Sequence, residues 1–547
     1  MSWTVMPGMT GDTNFIRVQP ANVRDNDESC PQQLALMTHP AVTRETAVPR
    51  RSRLRTTSSL NALRAVLDLI EFDHLPPDAA LARWRDSAGH RCHPGLAAWT
   101  AEAVRNYLIA AETIDAASGM AENPAFEPVT RDWARRRTVR NGDVPLVHEE
   151  TVMGRRHAGP EIRELRLIRT SSVANRARDE AEIALAAGVL ADARPVLGSS
   201  RGKPYVLGRP APVRRVRIVE IGCADGSHNV LFDDSPQAAR DKYRRDAEKR
   251  VHAVSAGGEY RPGNNCGRCV VVDLCPAVPV RPGLLGISAP AGTRRSWSIS
   301  TGRAYRICPA RSHFADLFLP RDRQTENSGA PTRGNAVHAF IEERHRRTPA
   351  QACRSDEAPT TREGWRAGTH SVTGFEARLG IQMIGDHALV CPLGRLHENA
   401  DILPERYVVA YDPSADVVVI AKTDLVYRAA DSWVLRETKT TARSLNDGDL
   451  LDRIPQLALG LVLSAEGVLP GGRGGCRVEL ERLTSTGPVV SVLDATDPEL
   501  VERARRIVTA YAEQWREDEL FPTRPGKECK GCGFVRWCPD APKGAAP

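Results

Sequence analysis

The feature that most restricts the fold of this chain is a cysteine pattern that occurs twice. Cys-x2-Cys-x5-Cys-Pro is found near the middle and again near the end of the sequence, at Cys266, Cys269 and Cys275 and at Cys529, Cys532 and Cys538. Thiols at this short spacing are typical of metal or cluster ligation in a reducing compartment. The pattern therefore predicts two domains, each of which ends in a ligand-binding cysteine box.

The sequence before the two boxes also repeats. Thr151–Arg169 resembles Ala421–Lys439 with the same spacing, and Glu182-Ile183-Ala184-Leu185 resembles Gln456-Leu457-Ala458-Leu459. Internal similarity of this kind indicates a tandem duplication. We expect a disordered N-terminal tail over residues 1–57, one domain over 58–283 and a second over 284–547.

Composition is consistent with a soluble globular protein. The 547 residues are too many for one ordinary core, and 41% hydrophobic with 26% charged residues is ordinary. The formal charge of +7 permits a polyanionic partner without demanding one. The apolar runs are too short to span a membrane and no secretion signal is visible, so we expect a cytoplasmic protein.

The stretch from Val417 to Leu463 contains the strongest catalytic pattern. Two β-branched runs flank the polar turn RAAD, and an apolar helix follows them. Because strand side chains alternate, Glu437 and Lys439 share one face, and a hairpin would place Asp424 beside that face. Two carboxylates and an ammonium suit metal-assisted phosphodiester hydrolysis, in which a hard divalent cation polarises the phosphate and activates water. Taken alone, the pattern also fits an exposed strand face with alternating charges.

The flanking residues add to this pattern. Upstream, Gly334-Asn335-Ala336-Val337-His338 opens a helix, and Cys308-Pro309 precedes it. The order of Cys308, His338, Asp424, Glu437-x-Lys439, Gln456 and the final cysteine box resembles the RecB-like branch of the PD-(D/E)XK nuclease superfamily. More narrowly, it is similar to the iron–sulfur members found in CRISPR-adaptation exonucleases and AddAB-type helicase–nucleases. The resemblance covers roughly 284–547.

The resemblance implies a fold and a set of site residues. The fold would be α/β, with two tandem restriction-endonuclease-like domains, each a mixed sheet flanked by helices, and the first catalytically degenerate. His338, Asp424 and Glu437 would bind Mg²⁺ or Mn²⁺, while Lys439 and Gln456 would complete the catalytic set. Four thiols, those of Cys308, Cys529, Cys532 and Cys538, would hold a [4Fe–4S] cluster, with Zn²⁺ as the alternative. The sequence departs from the family at Gly460, where a tyrosine is usual.

Alignment of the first domain with the second predicts that the first domain is catalytically inactive. Arg105, Gly154, Leu167 and Arg169 take the places of His338, Asp424, Glu437 and Lys439, and none of them offers a metal-binding carboxylate. A second cluster is a candidate at Cys266, Cys269 and Cys275. Its fourth ligand would be Cys92, because Cys92-His93-Pro94 stands where Cys308-Pro309 does in the second domain, with Cys223 as the competitor.

The remaining cysteines and histidines carry no ligand-spacing signal. We expect plain thiols and surface imidazoles at the following positions: Cys30, Cys353, Cys391, Cys476, His345, His387 and His397.

The function that these features favour is DNA hydrolysis. The resemblance implies an exonuclease that acts on single-stranded ends, in DNA repair, recombination or phage defence. No Gly-x4-Gly-Lys-Ser/Thr motif is visible, so unwinding would require a separate helicase. Two alternatives remain: a non-catalytic iron–sulfur DNA-binding or scaffold protein, and a zinc-binding regulator.

Overall fold

The fold is described from a computed structural model. It describes residues 3–24, 28–45, 52–54, 58–88, 92–119, 126–141, 144–288, 292–322, 329–396, 400–430, 432–442, 449–469 and 476–542. We call residues 3–288 the first half and residues 292–542 the second half. His397 lies outside the described residues.

Strands alternate with helices along both halves. The strands are β1 Met9–Gly11, β2 Phe15–Val18, β3 Val42–Arg44, β4 Ser52–Leu54, β5 Glu127–Pro128, β6 Trp133–Asn141, β7 Val144–Thr151, β8 Arg155–Gly159, β9 Ile162–Arg169, β10 Arg194–Gly198, β11 Val206–Leu207, β12 Arg215–Gly222, β13 Ser227–Asp234, β14 Gly292–Trp297, β15 Gly364–Ala367, β16 His370–Thr373, β17 Ile402–Pro404, β18 Tyr407–Asp412, β19 Val417–Lys422, β20 Leu425–Ala429, β21 Ser432–Thr440, β22 Arg477–Thr484 and β23 Gly487–Asp494. The α-helices are Pro31–Thr38, Ser59–Glu71, Pro77–Ala88, Pro94–Ala117, Glu180–Asp192, Pro236–Asp246, Glu248–Ala256, Ile299–Ile307, Pro309–Asp316, Gly329–His345, Gly374–Val390, Leu450–Arg453, Pro455–Ala465 and Pro498–Glu517. The predicted mixed α/β fold is confirmed.

Each half contains a five-stranded mixed sheet of the same order. The first runs β13-β12-β9-β8-β5 and the second runs β23-β22-β21-β20-β17. In both sheets the central strand pairs in parallel on one side and antiparallel on the other. A helix that is apolar all round packs on each sheet, Glu180–Asp192 in the first half and Pro455–Ala465 in the second, as expected for helices buried on every face.

A second sheet in each half extends the likeness to the N-terminus. β2 pairs in parallel with β7, which pairs antiparallel with β6, and β14, β19 and β18 repeat this arrangement. The cysteine-led helices Pro31–Thr38 and Pro309–Asp316 then follow β2 and β14 respectively. The first half therefore matches the second from about residue 15 onward.

The predicted disordered tail over residues 1–57 is wrong for its described part. Phe15–Val18 is a strand of the first half, and the side chain of Val18 is fully buried. Polar composition suggested disorder, but the short run Phe15-Ile16-Arg17-Val18 gains a parallel partner in β7. Main-chain pairing and burial of three apolar side chains outweigh the entropy of ordering this short segment.

The two halves share a hydrophobic core. Trp99 and Tyr107 of the first half pack in one cluster with Phe314, Phe534 and Trp537 of the second. The second cysteine box thus rests on first-half helices.

The first box makes the converse contact. Cys266 and Val272 pack against Val409, Tyr411 and Val418 of β18 and β19. Each cysteine box therefore packs against the other half of the chain.

We predict that Val18→Ala lowers the free energy of unfolding by about 2 kcal/mol, because it removes two buried methyl groups and leaves a cavity. The measurement is the urea midpoint of the full chain. The matched control is Met37→Ala, whose side chain is 60% exposed and which should change the free energy by less than about 0.5 kcal/mol. Equal midpoints for both variants would contradict the structured N-terminal segment.

Candidate metal-dependent active site

The hairpin of β20 and β21 places Asp424 beside the Glu437–Lys439 face, as predicted. Leu425 pairs with Arg436, so Asp424, one residue earlier, lies next to the strand that carries Glu437. The backbone N–H of Thr438 donates to Asp424 Oδ2 at 2.6 Å. The Lys439 ammonium donates to Glu437. Alternation along β21 keeps both of these side chains on one face.

His338 reaches the same place from the helix Gly329–His345. Its Nδ1 lies 3.4 Å from Asp424 Oδ1. Burial alone would lower the pKa of His338, but the hydrogen bond and charge of Asp424 outweigh burial and raise the pKa. Burial would raise the pKa of Asp424, and His338 and Lys439 reverse that effect, so the carboxylate stays ionised.

Glu437 is buried beside a second carboxylate. Burial and the Asp424 charge raise the pKa of Glu437 to about 7, against the opposing charge of Lys439. Burial would lower the pKa of Lys439, yet Glu437 and Asp424 raise it. Lys439 therefore carries its proton at neutral pH. A site of this composition stabilises an added cation, which would relieve the repulsion between the two acids.

A third carboxylate, Glu405, completes the group and was missed by the sequence analysis. Ligand atoms of His338, Glu405 and Asp424 all lie within 4.8 Å of one another. Burial raises the pKa of Glu405, with Asp424 and Glu342 adding to the rise and Lys422 opposing it. Glu405 lies between β17 and β18, in a polar stretch outside any motif. Its backbone N–H donates to the Asp424 carbonyl at 3.0 Å, which holds the loop of Glu405 against the site.

Gln456 lies where the sequence predicted. It lines a cavity of about 370 Å³ together with Glu437, Lys439, Tyr407 and Gly460. The Gln456 Oε1 is buried, and it has no hydrogen-bond partner among the described residues. A side chain at position 460 would contact Leu435 and Val478. The sequence has no tyrosine at position 460, but another tyrosine, Tyr407, lines this cavity.

The four C-terminal cysteines named as cluster ligands lie in one region. Cys308, Cys529, Cys532 and Cys538 line one pocket, and the Gly526 N–H donates to Cys529 Sγ at 3.4 Å. No three of these four sulfur atoms belong to a set within 4.8 Å of one another, although all four residues are described.

The choice of Cys92 as a ligand of the first box is wrong, as is the alternative Cys223. Cys92 packs in the shared core with Cys308 and Cys538, and Cys223 is a buried thiol in the same core.

Cys30 lies nearer the first box than Cys92 does. It occupies the N-cap position of the helix Pro31–Thr38 without a side-chain capping hydrogen bond, and its Sγ accepts a hydrogen bond from the Arg261 N–H at 3.4 Å. Burial raises the pKa of Cys269 to about 12, and the nearby Cys266, Cys275 and Cys30 add to the rise. The signal that was missed is Cys30-Pro31, which repeats Cys308-Pro309.

The first half lacks the catalytic side chains at the equivalent strand positions. Arg155 pairs with Arg166 as Leu425 pairs with Arg436, so Gly154 stands where Asp424 does. Counting along β9 from the same register puts Leu167 and Arg169 at the positions of Glu437 and Lys439. Arg169 pairs with Glu220 at 2.8 Å. Arg105 is exposed on the helix Pro94–Ala117.

A further set of residues is not as predicted. His345, Cys353, His387 and Cys391 were expected to be surface imidazoles and plain thiols, but their ligand atoms lie together. Two short pairs, His345-x7-Cys353 and His387-x3-Cys391, were the sequence signal.

Comparison with known proteins finds a family match in the second half of the chain. Residues 296–539 match the family model described as the PD-(D/E)XK nuclease superfamily. This match spans less than half of the chain and supports a restriction-endonuclease-like fold with metal-dependent nuclease chemistry. No match to a curated protein was found. None of the described helices is long and apolar enough to cross a membrane.

We predict that Glu405→Gln weakens Mn²⁺ binding at least about tenfold, because it removes one of three converging ligand groups. Isothermal titration calorimetry of the full chain measures this affinity. The control is Glu363→Gln, since Glu363 is exposed in the same half. Unchanged affinity in Glu405→Gln would exclude Glu405 from the metal site.

Proposed function

We propose that the protein is a metal-dependent deoxyribonuclease that hydrolyses DNA at the site formed by His338, Asp424, Glu437 and Lys439. The observation that carries the proposal is their convergence with Glu405, which also lines a basic cleft. Residues from one helix, two loops and one strand meet here. The superfamily match of residues 296–539 supports the same chemistry.

The residues present fit a hard divalent cation. His338, Asp424 and Glu405, with Glu437 adjacent, would hold Mg²⁺ or Mn²⁺, and the mixed nitrogen and oxygen donors suit Mn²⁺ somewhat better. When bound, the cation polarises the phosphate and activates water. Lys439 remains protonated between Glu437 and Asp424, so it acts as a hydrogen-bond donor and countercharge. Gln456 offers an unpaired amide oxygen beside it.

The cleft fits a nucleic acid. It encloses about 1640 Å³ and is lined from both halves, by residues that include Arg169 and Arg176 of the first and Arg406 and Glu405 of the second. Nine lining side chains are Arg or Lys and five are Asp or Glu. A basic groove of this kind follows a phosphate backbone.

Single-stranded ends are the substrate we favour. Phe318 projects into the cleft with 54% of its surface exposed, and the Arg268 guanidinium lies 4.5 Å from its ring centroid. Tyr407 lines the same cleft. Exposed aromatic rings in a basic groove stack with unpaired bases. Duplex substrates would then be opened by a separate helicase.

The first half serves as a DNA-binding platform in this proposal. Gly154 and Leu167 cannot bind a cation, whereas Arg169, Arg176 and Arg178 face the cleft. Compared with the second half, the first half thus lacks the metal-binding carboxylates but has positive charge at the cleft.

The cysteine boxes fit clusters better than single zinc ions. A tetrahedral site with Zn–S bonds of 2.3 Å requires sulfur atoms about 3.8 Å apart. Neither four-cysteine set comes within 4.8 Å as a group, although all of its members are described. We therefore assign a [4Fe–4S] cluster to Cys308, Cys529, Cys532 and Cys538, and a second to Cys30, Cys266, Cys269 and Cys275. Each would act as a structural clip between distant segments.

One observation favours a second candidate, a non-catalytic iron–sulfur DNA-binding or scaffold protein. Gly460 replaces the tyrosine usual in the resembled family and is packed against Leu435 and Val478. The assays below separate the two candidates, because only the nuclease loses an activity when Lys439 is removed.

We predict that Lys439→Ala lowers kcat by about 10²- to 10³-fold, because a preorganised countercharge is lost. Asp424→Ala should abolish turnover. The assay is cleavage of labelled single-stranded DNA with Mn²⁺, with DNA binding measured in parallel. Asp356→Ala is the control, since Asp356 is exposed and pairs with the neighbouring Arg354. Equal cleavage by all variants would refute the hydrolase.

We predict that Arg176→Ala and Arg406→Ala each weaken single-strand binding and reduce its salt slope by about one, since each removes a phosphate contact. Fluorescence anisotropy at several salt concentrations measures both quantities. Arg214→Ala is the control, because Arg214 pairs with Glu161 outside the cleft. If Arg214→Ala has the same effect, general charge rather than the cleft binds DNA.

A further inference from the structure

Four potential metal ligands meet away from the nuclease site. His345 is the last residue of the helix Gly329–His345, and Cys353 lies in the loop that follows. His387 is in the last turn of the helix Gly374–Val390, and Cys391 comes directly after that helix. One ligand atom from each residue lies within 4.8 Å of the other three.

The distances agree with a tetrahedral zinc ion. His387 Nε2 lies 3.2 Å from His345 Nε2, and Cys391 Sγ lies 3.7 Å from His345 Nε2. With Zn–N bonds of about 2.05 Å and Zn–S bonds of about 2.3 Å, the tetrahedral N···N and N···S separations are about 3.3 Å and 3.6 Å. These two separations match those of a tetrahedral zinc ion, and the remaining ones lie within 4.8 Å.

A buried carboxylate orients one of the ligands. His387 Nδ1 lies 2.6 Å from Glu481 Oε1, and Glu481 has no exposed surface. A proton on Nδ1 leaves the Nε2 lone pair directed at His345 and the cysteines. Pairing of the second ring nitrogen with a carboxylate is the usual support of a metal-binding histidine.

Three of the four ligands are buried. His345 is 5% exposed, His387 1% and Cys391 7%, while Cys353 is partly buried. Four protein ligands and no open position are typical of structural zinc sites, whereas catalytic sites keep a coordination position for water. Two thiolates with two imidazoles in tetrahedral arrangement favour Zn²⁺ over Mg²⁺, Mn²⁺ or Ca²⁺.

We propose that His345, Cys353, His387 and Cys391 bind one structural Zn²⁺ ion, distinct from the nuclease cation and from the cysteine boxes. The ion joins the ends of two helices and the loop between them. It does not depend on the proposed nuclease activity, because its ligands are independent of His338, Asp424 and Glu405.

The zinc ion would also hold the catalytic helix in place. His338 lies two turns before His345 on the same helix. Glu481, which supports His387, also accepts a hydrogen bond from Thr438 Oγ1 at 3.4 Å, and the Thr438 N–H binds Asp424. The zinc site thus supports the nuclease site from two directions.

The first experiment is metal analysis of the full chain, purified without oxygen from cells supplied with zinc and iron. We expect one zinc per chain in addition to iron. X-ray absorption at the zinc edge should show a first shell of two sulfur and two nitrogen atoms, at about 2.3 Å and about 2.0 Å. A four-sulfur shell would assign the zinc to a cysteine box and overturn the proposal, as would the absence of zinc.

Variants locate the ion. Cys353→Ala and Cys391→Ala should each lose the zinc equivalent and keep the iron, whereas Cys529→Ala should lose iron and keep zinc. Cys476→Ala is the matched control, because Cys476 is a buried cysteine of the same half, and it should keep both metals. Zinc retained in both Cys353→Ala and Cys391→Ala would refute the site.

Thiol alkylation covers the remaining alternative, a disulfide between Cys353 and Cys391. In the zinc-bound protein both thiols should become reactive when a chelator is added. If they react only after reduction, the pair is a disulfide and the zinc proposal is wrong. Absorption spectra of the wild type decide the matter even if a variant fails to fold.

Discussion

The candidate site depends on how closely the fold holds the carboxylates of Asp424, Glu437 and Glu405. Asp424 is fixed by the Thr438 N–H, and His338 and Lys439 supply opposing charge. Glu437 retains a pKa near 7 because burial and Asp424 together exceed what Lys439 offsets. The pairing of β20 with β21 thus sets how close Asp424 lies to Glu437, and a divalent ion bound between them would offset their mutual repulsion.

Much of this arrangement could be predicted from the sequence because it is local. Alternation along one strand fixes Glu437 with Lys439, and a hairpin adds Asp424. Glu405 could not be found this way, since long-range packing brings it to its partners from a polar stretch, whereas Cys30 had a signal in Cys30-Pro31, which repeats Cys308-Pro309. The short His345–Cys353 and His387–Cys391 spacings can be recognised in the sequence. That the two pairs face each other is shown only by the packing of the two helix ends.

The structural likeness of the halves explains which features persisted in the first. Its sheet order and strand register match those of the second half, and its cysteines occupy the same elements. Gly154 and Leu167 occupy the strand positions of Asp424 and Glu437, so the backbone register is shared although the two carboxylates are absent. Arginines of the first half, among them Arg169 and Arg176, line the cleft that the two halves share.

The crossed packing of the cysteine boxes makes the halves mutually dependent. Phe534 and Trp537 find their apolar surroundings in the neighbouring copy, and Cys266 and Val272 find theirs in return. Without the first half, Phe534 and Trp537 would expose their aromatic surface and the C-terminal segment would lose its support. The first half is therefore needed for the stability of the second whether or not it takes part in any chemistry, because its surface forms part of the other half's interior.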